Sequence, residues 1–113
     1  MDLTLNRIVD RFPLEVLSGA GRLDRSVRGG YASDLLSCVM AGAKEGNIWV
    51  TLQAHPNVIA VADLRELACV IITEGMRPDD ETVARANDKG IPLLLSEENT
   101  FQVVGRLIGL GVR

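Results

Sequence analysis

Over the second half of the chain, short apolar runs alternate with segments whose apolar residues recur at helical spacing. The runs are typical of buried parallel strands, and each is followed by a helix pattern. Strands are predicted at 48–53, 68–73 and 91–95, and helices at 57–67, 79–89 and 99–110. Three successive strand–helix units predict one α/β domain with a layered, largely parallel sheet and right-handed crossovers.

The first half of the chain is less regular, and shorter elements are predicted there. They are a helix at 4–12, a strand at 14–17, a strand at about 23–27 and a helix at 35–43. Pro13 ends the first helix, and Ser33 or Asp34 would cap the second. Since no linker divides the chain, 1–113 is interpreted as a single domain.

The segment Gly19–Gly30 places three arginines, Arg22, Arg25 and Arg28, among four glycines. Guanidinium groups and free backbone N–H groups could cradle an anion. We favour a solvated hairpin whose glycines form turns, because neither the P-loop nor the dinucleotide-binding glycine pattern is present.

Composition limits the class of protein. The 113 residues are 47% hydrophobic but only 4% aromatic, so the core must be aliphatic. The net charge of -3 and pI near 5.1 argue against a nucleic-acid partner, which would need a basic surface. The N-terminus lacks a signal-peptide pattern and no apolar run is long enough to span a bilayer, so we expect a cytoplasmic protein without membrane contact.

The two cysteines, Cys38 and Cys69, lie far apart in sequence and in apolar surroundings. Neither belongs to a pattern with metal-ligand spacing. We therefore expect buried free thiols, no metal site and no cofactor.

Polar residues follow each of the last three predicted strands. Ligands of open α/β sheets bind beyond the carboxyl ends of the strands, where helix N-termini favour anions. The candidate ligand-binding residues are Thr51, Gln53, His55, Asn57, Thr73, Glu74 and Arg77, and Ser96, Glu97 and Asn99 follow the third strand. The alternative at each junction is a helix cap, a role for which Asn57, Asp79 and Asn99 or Thr100 have suitable side chains.

His55 is the only histidine and precedes Pro56. A general base would need an orienting carboxylate, for which Glu74 is the conceivable partner. A residue before proline prefers extended backbone, and proline suits the first helical turn. We interpret the pair as the corner between a strand and a helix, and no catalytic residue is expected.

The predicted helix at 99–110 has more apolar surface than one sheet face covers. Its main stripe is Phe101, Val104, Leu107 and Ile108, widened by Val103 and Leu110. Gly105 and Gly109 weaken a helix, which is understandable if a second backbone packs against them. We therefore predict a homodimer through Phe101, Val104, Gly105, Ile108 and Gly109. The alternative is a helix held in a crevice between the sheet and the N-terminal helix.

The segment 68–101 contains, in order, an apolar strand, a T-x-G turn, Arg-Pro, a helix, Gly-Ile-Pro, a strand and Thr-Phe. Together with GGYASDLLSCVMA upstream, it resembles the DRTGG domain over roughly 30–110. That family is named for a D-R pair after one strand and T-G-G after the next. Here the first slot reads His55-Pro56 and the second reads Thr73-Glu74-Gly75.

The resemblance implies an accessory module whose fold is similar to the N-terminal domain of HPr kinase. Similar domains are fused to CBS pairs in some inorganic pyrophosphatases and to phosphate acetyltransferases. Some small relatives are encoded beside iron-only hydrogenase or other redox genes, which suggests a redox-enzyme partner. Since this chain has no P-loop, kinase activity is not implied.

We therefore expect a non-catalytic regulatory or interaction module that is homodimeric and senses a small anionic ligand such as a nucleotide. One alternative is an accessory subunit or partner of a hydrogenase-associated redox system, with no ligand. The other is a small enzyme that uses His55 beside Glu74 or Thr73.

Overall fold

In the computed structural model, which describes residues 3–113, a five-stranded sheet lies between two layers of helices. The strands are β1 Glu15–Ser18, β2 Gly30–Ala32, β3 Ile48–Thr51, β4 Cys69–Ile72 and β5 Leu93–Leu95. The helices are α1 Leu5–Arg11, α2 Leu36–Gly42, α3 Asn57–Leu64, α4 Asp80–Lys89 and α5 Thr100–Gly109. A 3-10 turn occupies Ala20–Arg22.

The sheet has the strand order β1-β5-β4-β3-β2. Strands β2 to β5 are parallel, and β1 pairs antiparallel with β5 at one edge. Strand β2 forms the other edge. The register places Val50 beside Ile71, and Ile71 beside Leu94. The carboxyl ends of the four parallel strands β2 to β5 consequently lie side by side at one end of the sheet, a border distinct from its two edge strands.

The two sheet faces build two halves of the core. One half packs α2, α3 and α4 on Trp49, Val70, Ile72, Leu93 and Leu95. The other packs α1 and α5 on Ile48, Val50, Cys69, Ile71 and Leu94. Every residue of β3, β4 and β5 is buried, and apart from Thr51 at the end of β3 these strands are apolar throughout rather than alternating.

The predicted α/β class is confirmed, and every helix and strand predicted from residue 48 onward is present with slightly shorter bounds. The strand predicted at about 23–27 is wrong. This segment instead lies alongside the start of the chain and α1. The amide of Asn6 donates to the carbonyl of Leu23 at 2.8 Å, and the amide of Val27 donates to the carbonyl of Leu3 at 2.9 Å. Strand β2 was not predicted, since three residues with one large side chain give no periodic signal.

The predicted apolar stripe of α5 is only partly the buried one. Val103 and Leu107 are buried, whereas Phe101 is 87% exposed and Ile108 is 51% exposed. Arg106 lies on the exposed side of the helix, where its guanidinium binds Glu98 and lies 5.7 Å from the Phe12 ring centroid.

The prediction of two buried thiols is correct for Cys69 and wrong for Cys38, which is exposed. Helix α2 turns Val39 and the following Ala43 toward the core, so the neighbouring Cys38 faces solvent. Within the described residues, no helix has the length and apolarity needed to cross a bilayer.

Candidate functional site

The loops that follow β2, β3, β4 and β5 lie side by side at the carboxyl ends of these strands. We call the surface that the loops form the rim. It comprises 33–34, 51–57, 73–79 and 96–99. Backbone hydrogen bonds join the loops: Thr73 donates to Thr51 at 2.9 Å, and Glu74 donates to Glu98 at 2.8 Å. The structure therefore brings the polar residues of separate sequence junctions together, at the edge where open α/β sheets bind ligands.

The β3 end of the rim is organised by Asp34. One of its carboxylate oxygens accepts hydrogen bonds from the Thr51 hydroxyl and the Leu52 amide, both at 2.9 Å. The side-chain amide of Gln53 donates to the Asp34 carbonyl at 3.2 Å. The carboxylate of Asp34 thus joins the loop after β2 to the end of β3.

This role differs from the one predicted for Asp34. The residue that begins α2 as its N-cap is Leu35, which makes no side-chain capping bond. The Leu35 amide instead donates to the Ser33 hydroxyl at 3.2 Å. Asp34 is a rim residue that the sequence pattern missed, because β2, the strand before it, was also missed.

His55 is exposed and shapes the corner between β3 and α3. Its Nδ1 accepts a hydrogen bond from the Asn57 amide at 3.1 Å, so the histidine side chain caps the first turn. Asn57, which was a candidate cap, is the first residue of α3, and the N-cap position is Pro56. Among residues 3–113, no carboxylate forms a hydrogen bond with the His55 ring.

The acid that His55 influences is Asp79. The amide and hydroxyl of Thr82 donate to the Asp79 carboxylate at 2.9 and 2.8 Å, so Asp79 is the cap of α4. These two bonds lower the pKa of Asp79, and the His55 ring, when it is protonated, would add a smaller contribution in the same direction. Glu74, the partner considered in the sequence, is not bonded to His55 in the described residues.

The Thr73-Glu74-Gly75 turn has an unusual backbone. Glu74 and Gly75 have φ of +62° and +63°, two consecutive residues in the left-handed region that favours glycine. The Thr73 side chain is buried, with its hydroxyl 2.8 Å from that of Thr100. The conformation gives a physical reason for two glycines in a T-G-G motif and makes Glu74 a strained replacement.

The amides of this turn are already used inside the protein. Glu74 donates to the carbonyl of Glu98 at 2.8 Å, and Gly75 donates to the carbonyl of Ser96 at 2.9 Å. The Glu97 carboxylate lies directly against the Cα of Gly75. An anion at this turn would therefore meet carboxylates rather than free N–H groups.

Arg77 is the guanidinium of the rim, and it is paired with β1. Its two terminal nitrogens contact the Glu15 carboxylate at 2.5 and 3.2 Å, with both side chains exposed. The hydrogen bonds and charge of this pair lower the pKa of Glu15 and raise that of Arg77. Since the pair is solvated, Arg77 can exchange Glu15 for another anion at small cost.

Ser96 and Glu97 complete the β5 side of the rim. The Ser96 hydroxyl is buried and accepts from the Glu98 amide at 3.0 Å, whereas Glu97 is exposed. Both residues were predicted to lie at the rim because they follow a buried strand in the sequence. Within residues 3–113, no group of three or more His, Cys, Asp or Glu side chains is arranged to hold a metal ion.

Comparison with known proteins extends the resemblance noted in the sequence. The DRTGG domain model matches residues 8–109. The fold is similar to a crystal structure of the CBS and DRTGG domains of the regulatory region of Clostridium perfringens pyrophosphatase, complexed with the activator diadenosine tetraphosphate. The TM-score is 0.76 at 16% sequence identity, over 93% of this chain and 46% of that one. This chain thus corresponds to about half of that structure, and no curated protein matches its sequence.

Proposed function

Because the chain belongs to the DRTGG domain family, we propose that it is a non-catalytic regulatory module, homodimeric, which senses a small anionic ligand such as a nucleotide at the rim. The observation that carries the proposal is the shared fold with a regulatory region complexed with a nucleotide activator. The rim lies where the loops of four parallel strands converge, the usual position of a ligand in an open α/β sheet. A cytoplasmic location is part of the proposal, because the exposed free thiol of Cys38 suits a reducing compartment.

The candidate residues would divide between support and contact. Thr51 and Thr73 are buried and hold the loops through their hydroxyl groups. His55, Asn57 and Glu74 are exposed, so their side chains are available to a ligand. These positions account for a binding surface without requiring a nucleophile or a general base.

Two further candidates would respond to the ligand. Gln53 is half-buried and bonded to Asp34, so it would orient the β3 loop. Arg77 would release Glu15 and take a phosphate in its place, because guanidinium groups bind phosphate and carboxylate in the same bidentate geometry. Ligand binding would thereby separate the rim from β1.

Glu74 sets the affinity in this proposal. It places a negative charge in a turn where the family motif has glycine, and Glu97 adds a second charge nearby. We expect Glu74→Gly to strengthen binding of phosphate-bearing ligands by about fivefold, since one exposed charge at contact distance contributes roughly 1 kcal/mol. Glycine also suits the φ of +62° at this position, so the variant should fold.

Thermal shift with nucleotides tests the proposal. The panel would contain ATP, diadenosine tetraphosphate, inorganic phosphate and polyphosphate, each titrated against wild type, Glu74→Gly and Glu66→Gly. Glu66 is the matched control, because it is also exposed, has φ of +54° and lies at the opposite edge of the sheet. A ligand at 100 times its Kd should add about 2.7 kcal/mol to the free energy of unfolding.

The expected result is a ligand-dependent rise in Tm for the wild type. The rise should be larger for Glu74→Gly and should equal that of the wild type for Glu66→Gly. If no ligand of the panel moves the Tm of any variant, the sensing proposal is wrong and the accessory-subunit alternative is favoured. Equal gains for both glycine variants would mean that the anions bind through net charge rather than at the rim.

A further inference from the structure

The outer face of α5 carries the most exposed large hydrophobic side chain of the described residues, Phe101, at 87%. Ile108 lies two turns further along the same face and is 51% exposed. The two side chains are separated by about 10 Å along the helix axis. A monomer leaves both in water, although each would favour burial.

An apolar groove runs along the same helix. Its volume is about 290 Å³, and it lies between α5 and the edge strand β2. The side chains that line it include Tyr31, Ala32, Val50, Val104, Leu107 and Ile108. The groove therefore has room for an aromatic ring and the apolar lining to hold it.

We propose that a second copy of this chain covers the groove, with the two α5 helices antiparallel about a two-fold axis. This inference rests on the homodimer in the proposed function and specifies its geometry. Phe101 of each copy lies against Ile108 of the other and extends into the groove beside it. The axis passes midway between these residues, at Val104 and Gly105, as an isologous interface requires.

Gly105 supports this position of the axis. A Cβ added to Gly105 would meet nothing within 4 Å, so packing within the monomer gives no reason for glycine there. Glycine weakens a helix relative to alanine but lets another backbone approach closely. At the axis, the two Gly105 residues face each other and permit that approach. A Cβ added to Gly109 would also meet open space, but Gly109 lies further round the helix, at the periphery of this contact.

Charge identifies the second copy as the occupant and fixes the direction of the helices. Glu97 lies just before α5 and Arg113 lies just after it. Neither forms a salt bridge within the described residues: Glu97 has only the more distant charge of Arg77 near it, and the Arg113 guanidinium donates to the carbonyls of Ile108 and Val112, at 2.9 Å. The axis at Val104 and Gly105 brings Arg113 of one copy to Glu97 of the other, whereas a parallel pair would bring like charges together.

Sedimentation of the full chain from about 1 to 100 µM tests the interface, a range that detects dimers with micromolar Kd. The wild type should dimerise, and Phe101→Ala should raise the dimer Kd about 30-fold or more, as expected for an aromatic anchor. Leu64→Ala is the control, because Leu64 is 68% exposed on α3, in the opposite helix layer. It should leave the Kd unchanged.

The position of the axis has its own test. Gly105→Lys should abolish the dimer, because two bulky cations would meet at the axis, whereas Gly109→Lys should change the Kd by about threefold or less. Glu97→Arg and Arg113→Glu should each weaken the dimer, and the double variant should restore it. Failure of the double variant to recover would overturn the antiparallel pairing.

The outcomes separate this inference from the proposed function. A wild type that stays monomeric throughout the range contradicts both the proposed homodimer and this interface. A dimer that is indifferent to Phe101→Ala contradicts the interface alone and indicates another contact, such as the open edge of β2. Nucleotide sensing is judged separately by the Tm of the monomeric Phe101→Ala variant in the ligand panel.

Discussion

Gly75 is the residue at which the rim has least freedom to change. Its φ is +63°, and a Cβ built on it would overlap a carboxylate oxygen of Glu97. The steric contact can be relieved by moving the flexible Glu97 side chain, but the left-handed backbone cannot. Backbone conformation, more than the crowding above it, therefore requires glycine at this position.

We predict that Gly75→Ala lowers the free energy of unfolding by about 1–2 kcal/mol, the cost of a left-handed alanine. Gly21→Ala is the matched control, because Gly21 has no positive φ and an added Cβ meets nothing within 4 Å. Urea denaturation of both variants measures the difference. Equal stability for the two variants would show that the turn relaxes to a conformation that alanine accepts.

At the scale of single residues, the sequence predicted which side chains gather at the rim but not the contacts that they make there. The spacing of polar residues after apolar runs placed Thr51, Thr73 and Ser96 correctly. It could not show that the Asp34 carboxylate accepts a hydrogen bond from the Thr51 hydroxyl at the end of β3, because that bond joins residues 17 positions apart in sequence.

At the scale of whole elements, the strands that were predicted best are those buried on both faces. Continuous apolar runs mark β3, β4 and β5, whereas β2 has only three residues and is exposed in part. Helix α5 was located correctly, but its rotation was not predicted. Apolar residues surround most of that helix, so its sequence does not distinguish the face that packs on the sheet from the face left in water.

Helix caps offer a direct comparison between two asparagines that the sequence treated alike. Asn99 caps α5: its side chain accepts from the Gln102 amide at 2.9 Å, and the Gln102 side chain accepts from the Asn99 amide at 3.1 Å. Asn57 begins α3 without such a bond, because His55 has taken the capping role. The surrounding turn therefore decides which asparagine stabilises its helix.

We predict that Asn99→Ala lowers the free energy of unfolding by about 1 kcal/mol, as expected for loss of a cap. Asn57→Ala should change it by less than about 0.5 kcal/mol, the usual range for an exposed position without special contacts. Chemical denaturation of the two variants provides the measurement. A loss for Asn57→Ala as large as that for Asn99→Ala would mean that the Asn57 side chain itself stabilises α3, contrary to this comparison.

At the scale of the whole molecule, Cys69 lies in the sheet where the layers of helices shield it from water. It belongs to β4, the central strand, and is fully buried against α1 and α5. Desolvation raises the pKa of this thiol to about 12, although the positive charge of Arg25 partly offsets the effect. The thiol can ionise readily only when the layers separate, so its titration is coupled to unfolding.

This coupling predicts a loss of stability at alkaline pH. Above the ordinary thiol pKa of 9.0, the unfolded chain releases the Cys69 proton while the folded chain keeps it up to about pH 12. The unfolded state then binds fewer protons, so the free energy of unfolding falls as pH rises through this window, by at most about 1.4 kcal/mol per pH unit.

Other groups also titrate there, so the Cys69 contribution is the difference in slope between wild type and Cys69→Ala. Cys38→Ala is the control, because it removes an exposed thiol and leaves the buried Cys69 thiol in place. Parallel stability curves for wild type and Cys69→Ala between pH 9 and 11 would show that the Cys69 thiol ionises in the folded protein, and that water reaches the central strand without the layers separating.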